Sequence, residues 1–147
     1  MRGLLTLLAA LTGVASGVQP GINASLGKAA GPIVAALLSV AVSAAALVAG
    51  GLASGRMTLP SRDQLAAAPW WAWTGGVLGA SIVLGQLLIA QPLGSAVFMG
   101  INVTAALVVS LVLDHFALLG FQEHAINAGR VAGALLMIGG VVLIARY

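Results

Sequence analysis

The stretch SGVQPGINASLGK, residues Ser16 to Lys28, places a Gln, a Pro, an Asn and three glycines inside an otherwise apolar run. Three structures accommodate it: the cleavage region of a secretory signal, a loop, or a bent membrane helix with polar side chains to satisfy. Arg2, the apolar residues 4–11 and the small residues Ala15, Ser16 and Gly17 fit the first of these. Four further apolar runs follow, however, so the segment is read as an uncleaved helix.

Composition supports that reading. Of the 147 residues, 61% are hydrophobic and only 6% charged, against about 25% charged in a soluble domain. There are too few polar groups to cover a water-facing surface, and the chain is an integral membrane protein. It has no cysteine, which excludes disulfides and thiolate metal sites. Its formal net charge is +3, but the basic residues lie scattered and form no stripe that a nucleic acid would need. They read instead as anchors flanking membrane spans.

A helix crosses the hydrocarbon with about 20 mostly apolar residues. Five runs qualify, approximately 3–25, 32–53, 70–90, 93–113 and 128–145, within one transmembrane domain over 1–147. Their apolar residues are continuous rather than alternating, which excludes a β-barrel. Short links carry recognisable chemistry. Pro32 opens the second run where its missing N–H costs nothing. The stretch Gln91-Pro92-Leu93-Gly94 is a tight turn, and Ser61-Arg62-Asp63-Gln64 has the form of a capping box that would open a short interfacial helix. With the N-terminus on one side, that side carries Arg2, Arg56, Arg62 and Arg130, while the other carries Lys28 and Arg146. The excess favours a cytoplasmic N-terminus, and one or two moved charges would erase it.

Gln19 and Asn23 stand four apart, on one face of a helix. Pro20 removes a backbone donor, and Gly17 and Gly21 loosen the same turn, so the sequence predicts a kink with freed carbonyls. Bent helices of this kind build transporter sites; a plain helix end facing headgroups explains the same residues. Gln86 and Asn102 lie nearer the middle of their runs. Each is either interhelical glue or part of a polar lining shared with Gln19 and Asn23. Thr104 and Ser110 are less informative, since either hydroxyl can bond its own helix backbone. Trp70 and Trp71 read as an interfacial belt, whereas Trp73 is a candidate to stack on a substrate. Asp114-His115 and Glu123-His124 match no metal-ligand spacing. They are read as a solvated loop, with Asp114 placed to pair with Arg130 or Lys28. No carboxylate falls within a span, and no phosphate loop or nucleophile elbow is present. The chain is therefore not read as an enzyme, and no catalytic residue, metal or cofactor is assigned.

Taken in order, these residues resemble the YdcZ-like small bacterial inner-membrane proteins of the drug/metabolite transporter superfamily, over almost the whole chain. The resemblance rests on Gln19 with Asn23 and Leu26-Gly27, on Pro69-Trp70-Trp71 with Gly75-Gly76 and Gly79-Ala80, on Ser110 and Asp114-His115-Phe116, and on Arg130, Gly133 and Gly140. It implies an all-α fold of five transmembrane helices, one half of an inverted repeat that dimerisation completes. It also implies a multi-pass transporter subunit working by alternating access in an antiparallel dimer, either with another copy or with a paralogue. Membrane lipid and an unidentified small molecule would be its other partners, and nucleic acid would not. Gln19, Asn23, Gln86, Asn102 and Trp73 would contact substrate, with Pro20, Gly21, Asp114 and Arg130 shaping or gating the route. A non-transporting accessory or assembly protein and a passive channel are the alternatives. One departure is visible. The family's fourth helix commonly carries Gly-Gln where this chain has Ala105 and Ala106, and Ala117 replaces a frequent Gly. Asn102, one turn earlier, is then the polar residue available.

Overall fold

The computed structural model describes residues 2–147 and is all-α, with no strand among those residues. Five of its helices are long and apolar enough to cross a membrane. The chain divides into two compact units, one running through Pro92 and the other covering Leu93–Tyr147.

In the first unit, α1 (Arg2–Ala30) and α2 (Pro32–Ala53) form a hairpin joined by Gly31 alone. Gly31 has φ +80°, a left-handed conformation open to glycine at little cost. Pro32 opens α2, where its lack of an N–H is harmless. A short helix, α3 (Arg62–Ala66), follows a loop and has the capping box anticipated from sequence. Gln64 N–H donates to Ser61 Oγ at 3.2 Å, and Ser61 N–H donates to Gln64 Oε1 at 2.9 Å. One 3-10 turn, Trp70–Trp73, leads directly into α4 (Thr74–Leu93).

The first helix is one continuous α-helix with Pro20 inside it. It runs on to Ala30, beyond the end expected near residue 25, so Asn23 lies well inside it and the helix-end reading of that residue falls away. Pro20 still cannot donate to the Ser16 carbonyl, yet its ring is fully buried. Packing of the ring against neighbours offsets the lost hydrogen bond, as is common in membrane helices. Pro20, Asn23, Ala24 and Gly27 follow the i, i+3, i+4, i+7 pattern of one helix face, and the first three are buried.

Gly27 sets the approach of α1 to α4. A Cβ there would lie 2.9 Å from Leu87 Cδ2, so only a bare backbone lets Leu87 sit against α1 without shifting.

The second unit is a hairpin of α5 (Ser95–His115) and α6 (Ala128–Arg146). Gly100 plays the corresponding role there, since a Cβ would meet Val141 Cγ2 at 3.0 Å. The connecting loop is tied back onto the helix ends. His124 N–H donates to the Asp114 carbonyl at 2.9 Å, Ile126 N–H to His115 Nδ1 at 3.3 Å, and Arg130 Nη1 to the His124 carbonyl at 3.0 Å. Asn127 caps α6 by accepting from Arg130 N–H at 3.0 Å. These ties hold Ala117 and Leu119 at φ +50° and +55°, a region that L residues with side chains rarely occupy.

Replacing Gly27 by Leu should overpack the α1–α4 contact and lower stability by about 1–3 kcal/mol. Gly27→Ala should cost less, because the clashing atom is the mobile end of Leu87. Denaturant unfolding in detergent micelles, followed by circular dichroism, would rank the variants. Equal stability of Gly27→Leu and wild type would contradict the close approach.

Candidate functional site

The first unit holds a polar junction where three helices meet. Asn23 of α1 donates through Nδ2 to Gln86 Oε1 of α4 at 3.1 Å, and its Oδ1 accepts from Ser39 Oγ of α2 at 3.1 Å. Asn23 is 5% exposed and Gln86 7%. All three groups are neutral, so this is a chain of uncharged hydrogen bonds among largely buried side chains. Asn23 stands eight residues before Gly31 and Ser39 eight after it. In an antiparallel hairpin with a one-residue turn, equal spacing puts both at one depth. At 1.5 Å per residue that is about 12 Å from the turn, close to the middle of a roughly 30 Å hydrocarbon core.

Ser39 differs from its neighbours in where its hydroxyl goes. Ser16, Ser25, Ser43 and Ser81 each donate to the carbonyl four residues earlier, the usual fate of a hydroxyl in a membrane helix. Ser39 turns instead to Asn23. Sequence reasoning missed it because a lone Ser in an apolar run is commonplace; its symmetry with Asn23 about Gly31 was the available signal.

The junction is not saturated. Gln86 Nε2 has no protein partner among the described residues, and it is not among the fully enclosed orphan atoms. Adjoining it in sequence, Ala24 and Leu87 line a cavity of about 230 Å³ that also contacts Gly27, Lys28, Gln91 and Pro92. The polar groups around this cavity are an ammonium and an amide, with no carboxylate among the lining residues. Lys28 and Gln91 were not picked out from sequence, since each sits at the end of a run where a polar residue is ordinary. A second cavity of about 270 Å³ lies between α2 and α4, lined by Ile33, Leu37, Val77, Ser81 and Leu84 among others.

The remaining candidates fall elsewhere. Gln19 is half-buried, one turn before Asn23, and makes no side-chain hydrogen bond among the described residues. Gly21 is exposed, with open space where a Cβ would be. Trp73 lies on the 3-10 turn and is 60% exposed. Asn102 is on α5 in the second unit and exposed. The structure thus brings Asn23 and Gln86 into contact.

In the second unit, Asp114 is paired with Arg130, of the two partners the sequence offered, at 3.7 Å between Oδ2 and Nη1. Neither the Thr104 nor the Ser110 hydroxyl bonds its own helix. Thr104 is 7% exposed and its Oγ1 has no partner among the described residues. It lines an apolar cavity of about 470 Å³ with Ile101, Ala105, Val108, Ile138 and Val141.

Residues 4–143 match the family model described as "Putative inner membrane exporter, YdcZ". No curated protein and no solved structure matches the chain.

The Asn23–Gln86 bond should be measurable as a coupling. Asn23→Leu and Gln86→Leu singly each strand a buried amide, at about 1–3 kcal/mol. A double-mutant cycle should then return a favourable interaction of roughly 0.6–1.7 kcal/mol, the range for interhelical bonds in membranes. Strict additivity of the two substitutions would mean the bond contributes nothing.

Proposed function

The chain belongs to the YdcZ family of inner-membrane proteins, and we propose from that premise that it is one subunit of a small-molecule exporter. The working assembly is an antiparallel pair, made with a second copy or with a paralogue, and it operates by alternating access. One observation carries the reading: a buried amide junction near mid-span keeps an unused donor, Gln86 Nε2, instead of closing on itself. Polar groups at that depth are costly unless they meet a partner or a wet cavity.

Asn23, held by Ser39 and Gln86, positions the junction, while Gln86 and the neighbouring Gln19 offer hydrogen bonds to cargo. Lys28 and Gln91 extend the donor set along the adjoining cavity. Because no carboxylate lines it, the cargo this route favours carries hydrogen-bond acceptors or negative charge. Trp73 and Asn102 are further candidates to contact cargo in the assembled pair. Pro20 and Gly21 shape α1, and Asp114 with Arg130 holds the second unit's loop during rocking. Odd-numbered spans and a small basic excess suit a chain inserted both ways: four basic residues on one side face two on the other.

A second reading has its own support. Both hydrogen bonds of Asn23 go to protein, as interhelical glue in a non-transporting accessory subunit would require.

Two measurements separate these readings. In proteoliposomes screened with a panel of labelled solutes, Gln86→Leu or Gln19→Ala should reduce flux of the transported solute about tenfold, the equivalent of one hydrogen bond of roughly 1.4 kcal/mol. Flux at the wild-type rate in both variants would remove them from the route. The chain has no cysteine, so single cysteines placed at residues 2 and 147 report orientation directly. An antiparallel homodimer should show each terminus labelled by a membrane-impermeant thiol reagent in a fraction of the copies. Labelling of one terminus only would rule it out.

A further inference from the structure

Within the second unit, α5 and α6 enclose a trough of about 550 Å³ that is apolar along its length and charged at one end. Leu107, Leu111, Ala134 and Met137 form its walls, and Asp114 and Arg130 close it. Ser110, Gly133 and Met137 are exposed, so the trough is open along one side. Asp114 lies in the last turn of α5 and Arg130 in the first full turn of α6. The charged end therefore sits where the helices leave the membrane, and the apolar walls run inward. From Asp114 back to Leu107 is seven residues, about 10 Å of helix. That is roughly two-thirds of one leaflet of a 30 Å hydrocarbon core.

The charges at this end have capacity to spare. Their separation of 3.7 Å exceeds the 2.7–2.9 Å typical of a charge-assisted hydrogen bond. Arg130 commits Nη1 to the His124 carbonyl, while its Nη2 and Nε have no partner among the described residues. Asp114 Oδ1 likewise has none, and the Ser110 hydroxyl, facing the same trough, makes no hydrogen bond among the described residues.

The geometry points to a specific site for one membrane lipid with a zwitterionic ethanolamine headgroup. Its phosphate lies on Arg130, its ammonium on Asp114, and an acyl chain fills the trough. Charge complementarity decides the class. A purely anionic headgroup would satisfy Arg130 but be repelled by the carboxylate beside it. A choline headgroup supplies the positive charge but has no N–H to donate to Asp114. The site is argued from the geometry of the second unit alone, and lipid retention is read without any measurement of transport.

Native mass spectrometry of the protein released from bilayers of equal phosphatidylethanolamine, phosphatidylglycerol and phosphatidylcholine tests it. The wild type should retain one phosphatidylethanolamine per chain, about tenfold over either rival, as expected for one charge-assisted hydrogen bond. Asp114→Asn should erase the preference over phosphatidylglycerol, and Arg130→Gln should lower retention of all phospholipids. Gly133→Leu supplies the control that leaves both charges in place. A Cβ at Gly133 meets nothing within 4 Å, so the larger side chain enters the trough, and retention should fall while the helical circular dichroism stays that of the wild type. Equal retention of the three lipids, preference for phosphatidylglycerol, or retention unchanged in Gly133→Leu would overturn the assignment. So would a second copy of the chain held at this face with no lipid retained.

Discussion

A side-chain amide in hydrocarbon has no water to return to, and that constraint organises the first unit. Leaving such a group unpaired costs several kcal/mol, whereas a made interhelical bond in a membrane contributes only about 0.6 kcal/mol on average. The difference shows where the influence of Asn23 lies. Its hydrogen bonds to Ser39 and Gln86 add little net stability, but every arrangement that breaks them is penalised heavily. The junction therefore selects one depth and one rotation for α1, α2 and α4. The burial of Pro20 and the bare backbone at Gly27 follow, because the face that carries Asn23 is the face that must turn inward.

The second unit solves a different problem, since its polar groups lie where water is within reach. The Asp114–Arg130 pair can stay loose at 3.7 Å, each side chain about a third exposed, and a pair of that kind adds at most about 1 kcal/mol. What the loop needs is direction. The backbone bonds from His124 and Ile126, and the Arg130 contact to the His124 carbonyl, hold Ala117 and Leu119 in a conformation costing of order 1–3 kcal/mol each. Deep in the hairpin the logic reverses again at Thr104, whose hydroxyl is buried and unpartnered against an apolar cavity.

The spans were legible because hydrocarbon imposes a length and a composition that continuous apolar runs reveal directly. The capping box at Ser61 was legible because its chemistry is local. The course of α1 was not. Gln19, Pro20 and Asn23 weaken a helix judged by propensity, and only contacts with α2 and α4 explain why it persists to Ala30. The hydroxyls were uninformative for a related reason. Whether a Ser or Thr bonds its own carbonyl or another helix depends on what packs beside it, so Ser39, Thr104 and Ser110 look alike in sequence and behave differently in the fold. Asn23 and Gln86 could be named from their depth in apolar runs, but their partnership with each other requires knowing which helices adjoin.

The unsaturated state of the junction bears on the choice between glue and binding site. For packing alone the best arrangement would close every donor, because each open one is a liability in oil. Closing Gln86 Nε2 would require one more acceptor within reach, and serines stand on all three helices that meet at the junction. Instead the hydroxyls of Ser25 and Ser43, the serines following the two junction residues on their own helices, turn to their own backbones. An open donor is a liability in a scaffold, and it is what a route for polar cargo would use. Stability and the proposed transport thus favour opposite arrangements of the same amide, and the open donor is what supports the transport reading.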